Sequence, residues 1–467
     1  MTLLGLLAVA CSDTPPHSTR FGSLVFTPCT IGDPAARASA QCASLTVPEN
    51  RADPSSRAIS LAVAWLPASA KADRAPVFLI AGGPGLSARD TYAGVAQSLP
   101  ELHEHHDLIL VDQRGIGGSS PLNCTRPPSS KSEERPEVVH ARLLACLESV
   151  SQNADVRFYS TTEAMFDLDD VRRALQVEHV NLYGASYGTR VAQQYAKHFA
   201  AHTRTVTLDG VAPNSLVLVG NFASDLDDAL EKQLTSETRE RLLDLLSKLD
   251  AAPMAVHYRS AESGALTTGT LTREEVVELV RAWAYRPSSM AMLPLLLSEA
   301  TAGRLEVLAA LAKGDDPDRA DRPASTAPLS VLCTEDASEL PEPSMPPMSL
   351  LGDSAVRVLK AACAVWPKGE RPPDFREPLT GPVPVLLLSG ELDPVTPPRY
   401  AEAVRTRLPN GRHLVARGQG HQVVTVGCMP RLFAHFVDTA DAMNLDARCL
   451  DSISDPRPVS GFSGWSP

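Results

Sequence analysis

The chain has 467 residues, 21% of them charged and 43% hydrophobic, with a formal net charge of −12. That is the composition of a packed globular protein and excludes a disordered or membrane-spanning chain. Lys and Arg are scattered rather than clustered, so the basic footprint of a nucleic-acid binder is missing and no nucleic-acid partner is expected.

The chain opens MTLLGLLAVACSD. A short apolar run, small residues and then Cys11 match the end of a bacterial lipoprotein signal over residues 1–11, although the usual basic start is missing. This predicts an extracytoplasmic protein, either a lipoprotein tethered to a membrane through lipid on Cys11 or a periplasmic or secreted one. Ser12 rather than Asp at the next position resembles the signal for outer-membrane rather than inner-membrane retention. No other stretch approaches the ~18 apolar residues that would read as a span.

Nine cysteines become an even eight once Cys11 is assigned to lipid. They fall into sequence-local couples: Cys29 with Cys42, Cys124 with Cys146, Cys333 with Cys363, and Cys428 with Cys449. An oxidising compartment permits such bridges, while connectivity stays open because eight cysteines allow about 105 pairings. No C-x-x-C or His-rich spacing appears, so no metal site is expected.

Seven apolar runs read as strands: 61–66, 76–81, 107–112, 179–184, 205–210, 383–390 and 412–416. Helical patterns lie between several of them, as at 161–176 and 189–200, which implies right-handed crossovers and a mostly parallel sheet with helices on both faces. From 214 to 380 the alternation stops, and patterns such as 227–249, 272–285 and 293–312 are helical. The expected organisation is an α/β core at 40–213 and 381–450 that carries a mainly helical cap at 214–380.

Where the run 179–184 ends, the sequence reads GASYG. A serine on a sharp strand-to-helix turn needs small residues two places before and after it, because the turn leaves no room for Cβ atoms. That is the nucleophile elbow, and it marks Ser186 as a candidate nucleophile. A serine hydroxyl needs a base, and the base an orienting carboxylate, in the chain order Ser, acid, His. LLLSGELDPVTPP and VARGQGHQVV supply Asp393 and His421, each just beyond a strand. Asp209 also ends a strand, but Asp393 is preferred because it lies 28 residues before His421, about one strand-helix-strand step. Asp209 is expected to tie down the junction between strand and cap. FLIAGGPGLS ends another strand in glycines, which predicts an oxyanion hole from the backbone N–H groups of Gly83 and of Tyr187, the residue after the nucleophile.

Together AGGPG, LILVDQRGIGGSSP, GASYGTRVA, LSGELDPVTP and GQGH resemble the α/β-hydrolases of the proline iminopeptidase and tripeptidyl aminopeptidase group, over residues 40 to 450. CASLTVPENR and the region of Cys428 and Cys449 are similar to the secreted tripeptidyl aminopeptidase-like branch. Ala81 departs from the histidine that many iminopeptidases place before GGPG. The resemblance implies the α/β-hydrolase fold, a Ser186–Asp393–His421 triad, two-step acyl transfer without metal or organic cofactor, and short peptide substrates with a free N-terminus. It also implies an acidic group in the cap for the substrate ammonium, and Glu335 in VLCTED is the candidate. In DQRG, Asp112 and Arg114 are expected to be structural. An esterase or amidase on the same scaffold is the alternative, and a catalytically silent surface-binding lipoprotein is a third reading.

Overall fold

The computed structural model describes residues 18–124, 136–260, 263–314, 324–342, 350, 352, 354–459 and 461. Cys11, the expected lipid site, lies outside the described residues.

Among the described residues fourteen strands occur in chain order: β1 (Thr19–Phe21), β2 (Leu24–Ile31), β3 (Ala38–Pro48), β4 (Ala58–Leu66), β5 (Val77–Ile80), β6 (Leu108–Val111), β7 (Asn123–Cys124), β8 (Val180–Ala185), β9 (Thr203–Asp209), β10 (Met254–Arg259), β11 (Leu266–Leu271), β12 (Ala324–Ser325), β13 (Val385–Gly390) and β14 (Gly411–Ala416). Ten of them form one sheet in the order β1-β2-β3-β4-β6-β5-β8-β9-β13-β14. From β6 to β14 all neighbours are parallel, whereas β1 to β4 and the β4–β6 pair are antiparallel. Strands buried on both faces have no reason to alternate polar and apolar residues. Accordingly β5, β8 and β13 are buried at every position.

The pleat still separates two layers of core. Leu79, Leu110, Tyr183 and Leu388 pack with Tyr92, Leu102 and Phe433 from the helices Ala88–Gln97, Pro100–His105 and Met429–Thr439. Phe78, Ile80, Leu182 and Leu387 face the other way, onto Met165, Val191 and Val404 of the helices Thr161–Ala174, Tyr187–His198 and Pro398–Arg405. Helices thus cover both faces, the arrangement of an α/β-hydrolase. Strand order reverses at β5, whose neighbours are β6 and β8, and such a switch point leaves a crevice outside the carboxyl ends of the strands.

The structure differs from expectation in two places. The antiparallel β1–β3 are absent from the sequence-based strand set: Thr27, Pro28 and Cys29 interrupt the apolar pattern of β2, whose burial alternates only in part. The stretch between β9 and β13, expected to be mainly helical, also carries a hairpin and divides into two parts. Its first part has its own core, with Leu226, Leu246, Val280 and Leu297, and includes the β10–β11 hairpin. Its second part, the helices Ala327–Glu335 and Ser354–Cys363, packs instead with Leu122, Val150 and Tyr159 from an excursion after β6.

Disulfides join Cys29 to Cys42, Cys124 to Cys146, Cys333 to Cys363 and Cys428 to Cys449. The first bridges β2 to β3, and the third ties the helix Ala327–Glu335 to the helix Ser354–Cys363.

Candidate active site

Ser186 sits between β8 and the helix Tyr187–His198 with φ 55° and ψ −126°, a strained conformation for a residue with a side chain. The flanking glycines are dictated by space. A Cβ on Gly184 would lie 2.4 Å from the Gly188 carbonyl oxygen, and one on Gly188 would lie 2.3 Å from the Ile80 carbonyl oxygen. The turn is pinned on both sides: the Ser186 N–H donates to the Asp209 carbonyl at 2.8 Å, and the Thr189 hydroxyl donates to the Ser186 carbonyl at 2.5 Å.

Asp393 and His421 follow β13 and β14 and meet directly, with Nδ1 of His421 2.7 Å from Oδ2 of Asp393. A carboxylate only accepts, so Nδ1 carries the proton and Nε2 is left as the basic nitrogen. Asp393 is itself held by the N–H groups of Val395 at 2.9 Å and Thr396 at 2.8 Å. The Thr396 hydroxyl donates to Asp393 Oδ2 at 2.9 Å and lies 3.2 Å from His421 Nδ1. Sequence reasoning missed Thr396, although DPVTP places a hydroxyl three residues after the acid. Burial pushes the Asp393 carboxyl up, but the charge and hydrogen bond of His421 outweigh it and hold the group below its ordinary value. Burial pushes the His421 ring down, and Asp393 outweighs that too, so the imidazole lies above its ordinary value.

The ring's side-chain hydrogen bonds thus go to Asp393 and Thr396 through Nδ1, and none goes to the Ser186 hydroxyl. Bonds between nucleophile and base are often long without substrate and tighten when it binds. The cap also holds the histidine: the His421 N–H donates to the Tyr285 carbonyl at 3.0 Å, and the Tyr285 ring meets the imidazole edge-on with centroids 5.3 Å apart.

Asp209 does not touch His421 by hydrogen bond. Its buried carboxylate accepts the N–H groups of Val423 at 2.9 Å and Val424 at 3.0 Å, and the Tyr183 hydroxyl at 2.9 Å. It therefore ties down the loop that carries His421, rather than the junction with the cap.

The glycine turn after β5 comes close to the elbow, since a Cβ on Gly82 would lie 2.9 Å from the Ser186 Cβ. Gly83 has φ 108°, open to glycine and rare for other residues. Tyr187 opens its helix, so its N–H has no partner within that helix. Around this turn Asp112 and Arg114 are structural. Asp112 accepts from the Ser87 hydroxyl at 2.8 Å and the Gly118 N–H at 3.0 Å, while Arg114 grips both oxygens of Asp167 at 2.6 and 2.7 Å.

Gly83, Ser186, Tyr187 and Thr396 line one cavity of about 310 Å³. Its other walls are mostly apolar, among them Leu216, Val219, Phe222, Leu332 and Val395, with one carboxylate, Asp225. Glu335 is not brought to this cavity. It is 1% exposed, and its carboxylate takes the Thr161 N–H at 2.7 Å, the Thr161 hydroxyl at 2.9 Å and Arg190 at 3.4 Å. Asp225, which sequence reasoning missed, accepts from the Tyr400 hydroxyl at 2.8 Å and pairs with Arg399. Burial pushes its carboxyl up to about 6.

A family model for "TAP-like protein" matches residues 349–449, the stretch that carries Asp393 and His421. Serine protease Hip1 of Mycobacterium tuberculosis is 25% identical over 484 residues, covering 91% of this chain and 91% of that protein. Tripeptidyl aminopeptidase of Streptomyces lividans is 24% identical over 424 residues, covering 82% of this chain and 78% of that protein. Over these stretches the chain is similar to TAP-like α/β-hydrolases. YuaR of Escherichia coli is 28% identical over 200 residues, covering 42% of this chain and 39% of that relative, so the match spans less than half of either. The family-model match begins within the second part of the insertion and runs past β14, across the ends of both strands that lead to Asp393 and His421.

Proposed function

We propose that this TAP-like hydrolase is an extracytoplasmic serine aminopeptidase that releases residues from the free N-terminus of short peptides. Ser186 is the nucleophile, His421 the base and then the acid, and Asp393 orients and stabilises the imidazolium. The N–H groups of Gly83 and Tyr187 hold the oxyanion. His421 takes the serine proton as Ser186 attacks the carbonyl and returns it to the leaving amine, and water then repeats the cycle on the acyl-enzyme.

The observation that carries the peptide reading is the single carboxylate of the cavity. Asp225, whose charge meets Arg399 on one side, shares a mostly apolar space with Ser186 and is the carboxylate there that an incoming ammonium could join. An ionised carboxylate has about four acceptor sites, so Arg399 and Tyr400 leave room for an ammonium. At about 310 Å³ the cavity lies at the small end of ligand pockets, which suits the end of a short peptide. The names of Hip1 and of the Streptomyces aminopeptidase support peptide substrates. The four disulfides support an oxidising compartment. The test is a pair of substrates: peptidyl arylamides with a free N-terminus are cleaved and their acetylated forms poorly. Equal rates would reject the aminopeptidase and favour an esterase or amidase.

A further inference from the structure

Glu335 stands outside the cavity, yet it is wired to the residue beside the nucleophile. The helix Ala327–Glu335 lends Pro328 and Leu332 to the cavity wall and ends in the Glu335 carboxylate, buried behind the elbow. From Glu335 a hydrogen-bonded chain runs through the Thr161 hydroxyl, 2.9 Å away, to the phenol of Tyr187, a further 2.7 Å on.

Proton counting fixes the direction of this chain. Thr161 has one hydroxyl proton, and an ionised Glu335 can only accept it. The phenol must then donate to the Thr161 oxygen. Tyr187 keeps its proton, because burial pushes its pKa far above the ordinary tyrosine value. Glu335 also holds the elbow helix one turn further on. Arg190, three residues after Tyr187 and on the same side of the helix, reaches Glu335 Oε2 at 3.4 Å and Asp336 at 3.0 Å. The Thr161 N–H bonded to Glu335 belongs to the first residue of the helix Thr161–Ala174, where a negative charge is favoured.

We propose that Glu335 is a positioning residue for acyl transfer: through Thr161 and Arg190 it fixes the first turn of the elbow helix, and with it the Tyr187 N–H that faces the oxyanion. This rests on the role given above to Tyr187 and is independent of whether the acyl group comes from a peptide or an ester. The charged groups that face the carboxylate are Arg190 and Asp336, while Arg371 and Arg376 bind the Glu335 carbonyl instead. Burial pushes the Glu335 carboxyl up to about 7 against the pull of Arg190 and Thr161. Protonation would send the carboxyl proton to Thr161 and turn the chain round, leaving the phenol proton without its acceptor.

The experiment is the rate of phosphonylation by a fluorophosphonate, which forms a tetrahedral adduct at the serine whatever the natural substrate. It is read in wild type, Tyr187→Phe, Glu335→Gln and the double variant. Tyr187→Phe cuts the chain but leaves Glu335 bonded to Thr161 and Arg190, so the fold is retained and this variant can carry the test alone. Each single variant is expected to slow the reaction roughly tenfold, by analogy with small displacements of catalytic groups, and the double variant to be no slower than the slower single. The acid limb of the pH profile is expected to be steeper than one proton in wild type and to fall to one in Tyr187→Phe. A wild-type rate and an unchanged acid limb in Tyr187→Phe would overturn the proposal, as would losses that multiply in the double variant. Failure of the wild-type protein to be labelled at Ser186 would instead overturn the reading of the active site itself.

Discussion

The Ser186 N–H donates to the Asp209 carbonyl at 2.8 Å, while the Asp209 carboxylate holds Val423 and Val424 just after His421. One residue thus ties the nucleophile's turn to the histidine's loop without bonding the imidazole. Asp393→Asn is expected to lower kcat on the order of a thousandfold or more with the fold intact, because the wrong tautomer of His421 is then held. Asp209→Asn is expected to lose stability, about 1 to 3 kcal/mol for buried N–H groups left unpaired, with a much smaller loss of kcat. Thermal unfolding beside steady-state kinetics on both variants separates the two roles, and a crippled, stable Asp209→Asn would exchange them.

The acid limb of kcat/KM is expected to fall at a pH above the ordinary histidine value of about 6.5. The sign follows from the pairing: Asp393 favours the imidazolium and raises the pKa, and only neutral His421 can take the serine proton. Activity is therefore lost as pH falls through the raised value. A limb at or below the ordinary value would show that burial outweighs Asp393.

Thr396 bonds the acid and lies against the histidine. Thr396→Val keeps the shape and removes the donor, so kcat is expected to fall roughly tenfold, in line with the loss of one hydrogen bond to a charged group. KM should change little, since the bond serves the imidazolium that forms in the transition state. A loss confined to KM would place Thr396 in substrate binding instead.

Asp225→Asn is expected to slow cleavage of arylamides with a free N-terminus by an amount equivalent to about 2 to 5 kcal/mol, as for a truncated buried charge pair. Acetylated substrates should be almost unaffected. A uniform loss on both would make Asp225 a clasp between cap and core through Arg399 and Tyr400 and nothing more.

The Cys333–Cys363 bridge closes a loop with a sequence separation of 30. Replacing both residues by Ser is expected to cost about 3 to 4 kcal/mol of stability on the chain-entropy estimate. Thiol counting on the denatured, unreduced protein should find none of the eight paired cysteines free.

What could be read from the sequence was whatever backbone geometry forces. The glycines around Ser186 and at Gly83 have no alternative, since a Cβ would collide with main chain or force a rare φ, and the apolar runs of β5, β8 and β13 belong to strands buried on both faces. The N-terminal strands and the β10–β11 hairpin escaped because their outer faces meet water and polar residues break the run. Residues whose work depends on tertiary neighbours were the hardest to read. Asp225 enters the cavity only because its helix packs against Arg399 and Tyr400. Glu335 in VLCTED reads as a partner for the substrate ammonium, and only burial beside Thr161 and Arg190 shows that its charge is already engaged.

In the proposed mechanism Ser186 acts as a nucleophile driven by His421 and Asp393. The most direct measurement is intact-protein mass spectrometry after exposure to a fluorophosphonate, followed by mapping of the modified peptide. One adduct is expected on the peptide that contains Ser186, none in Ser186→Ala, and strongly slowed labelling in His421→Ala. An adduct on another residue, or labelling of Ser186→Ala at the wild-type rate, would contradict it.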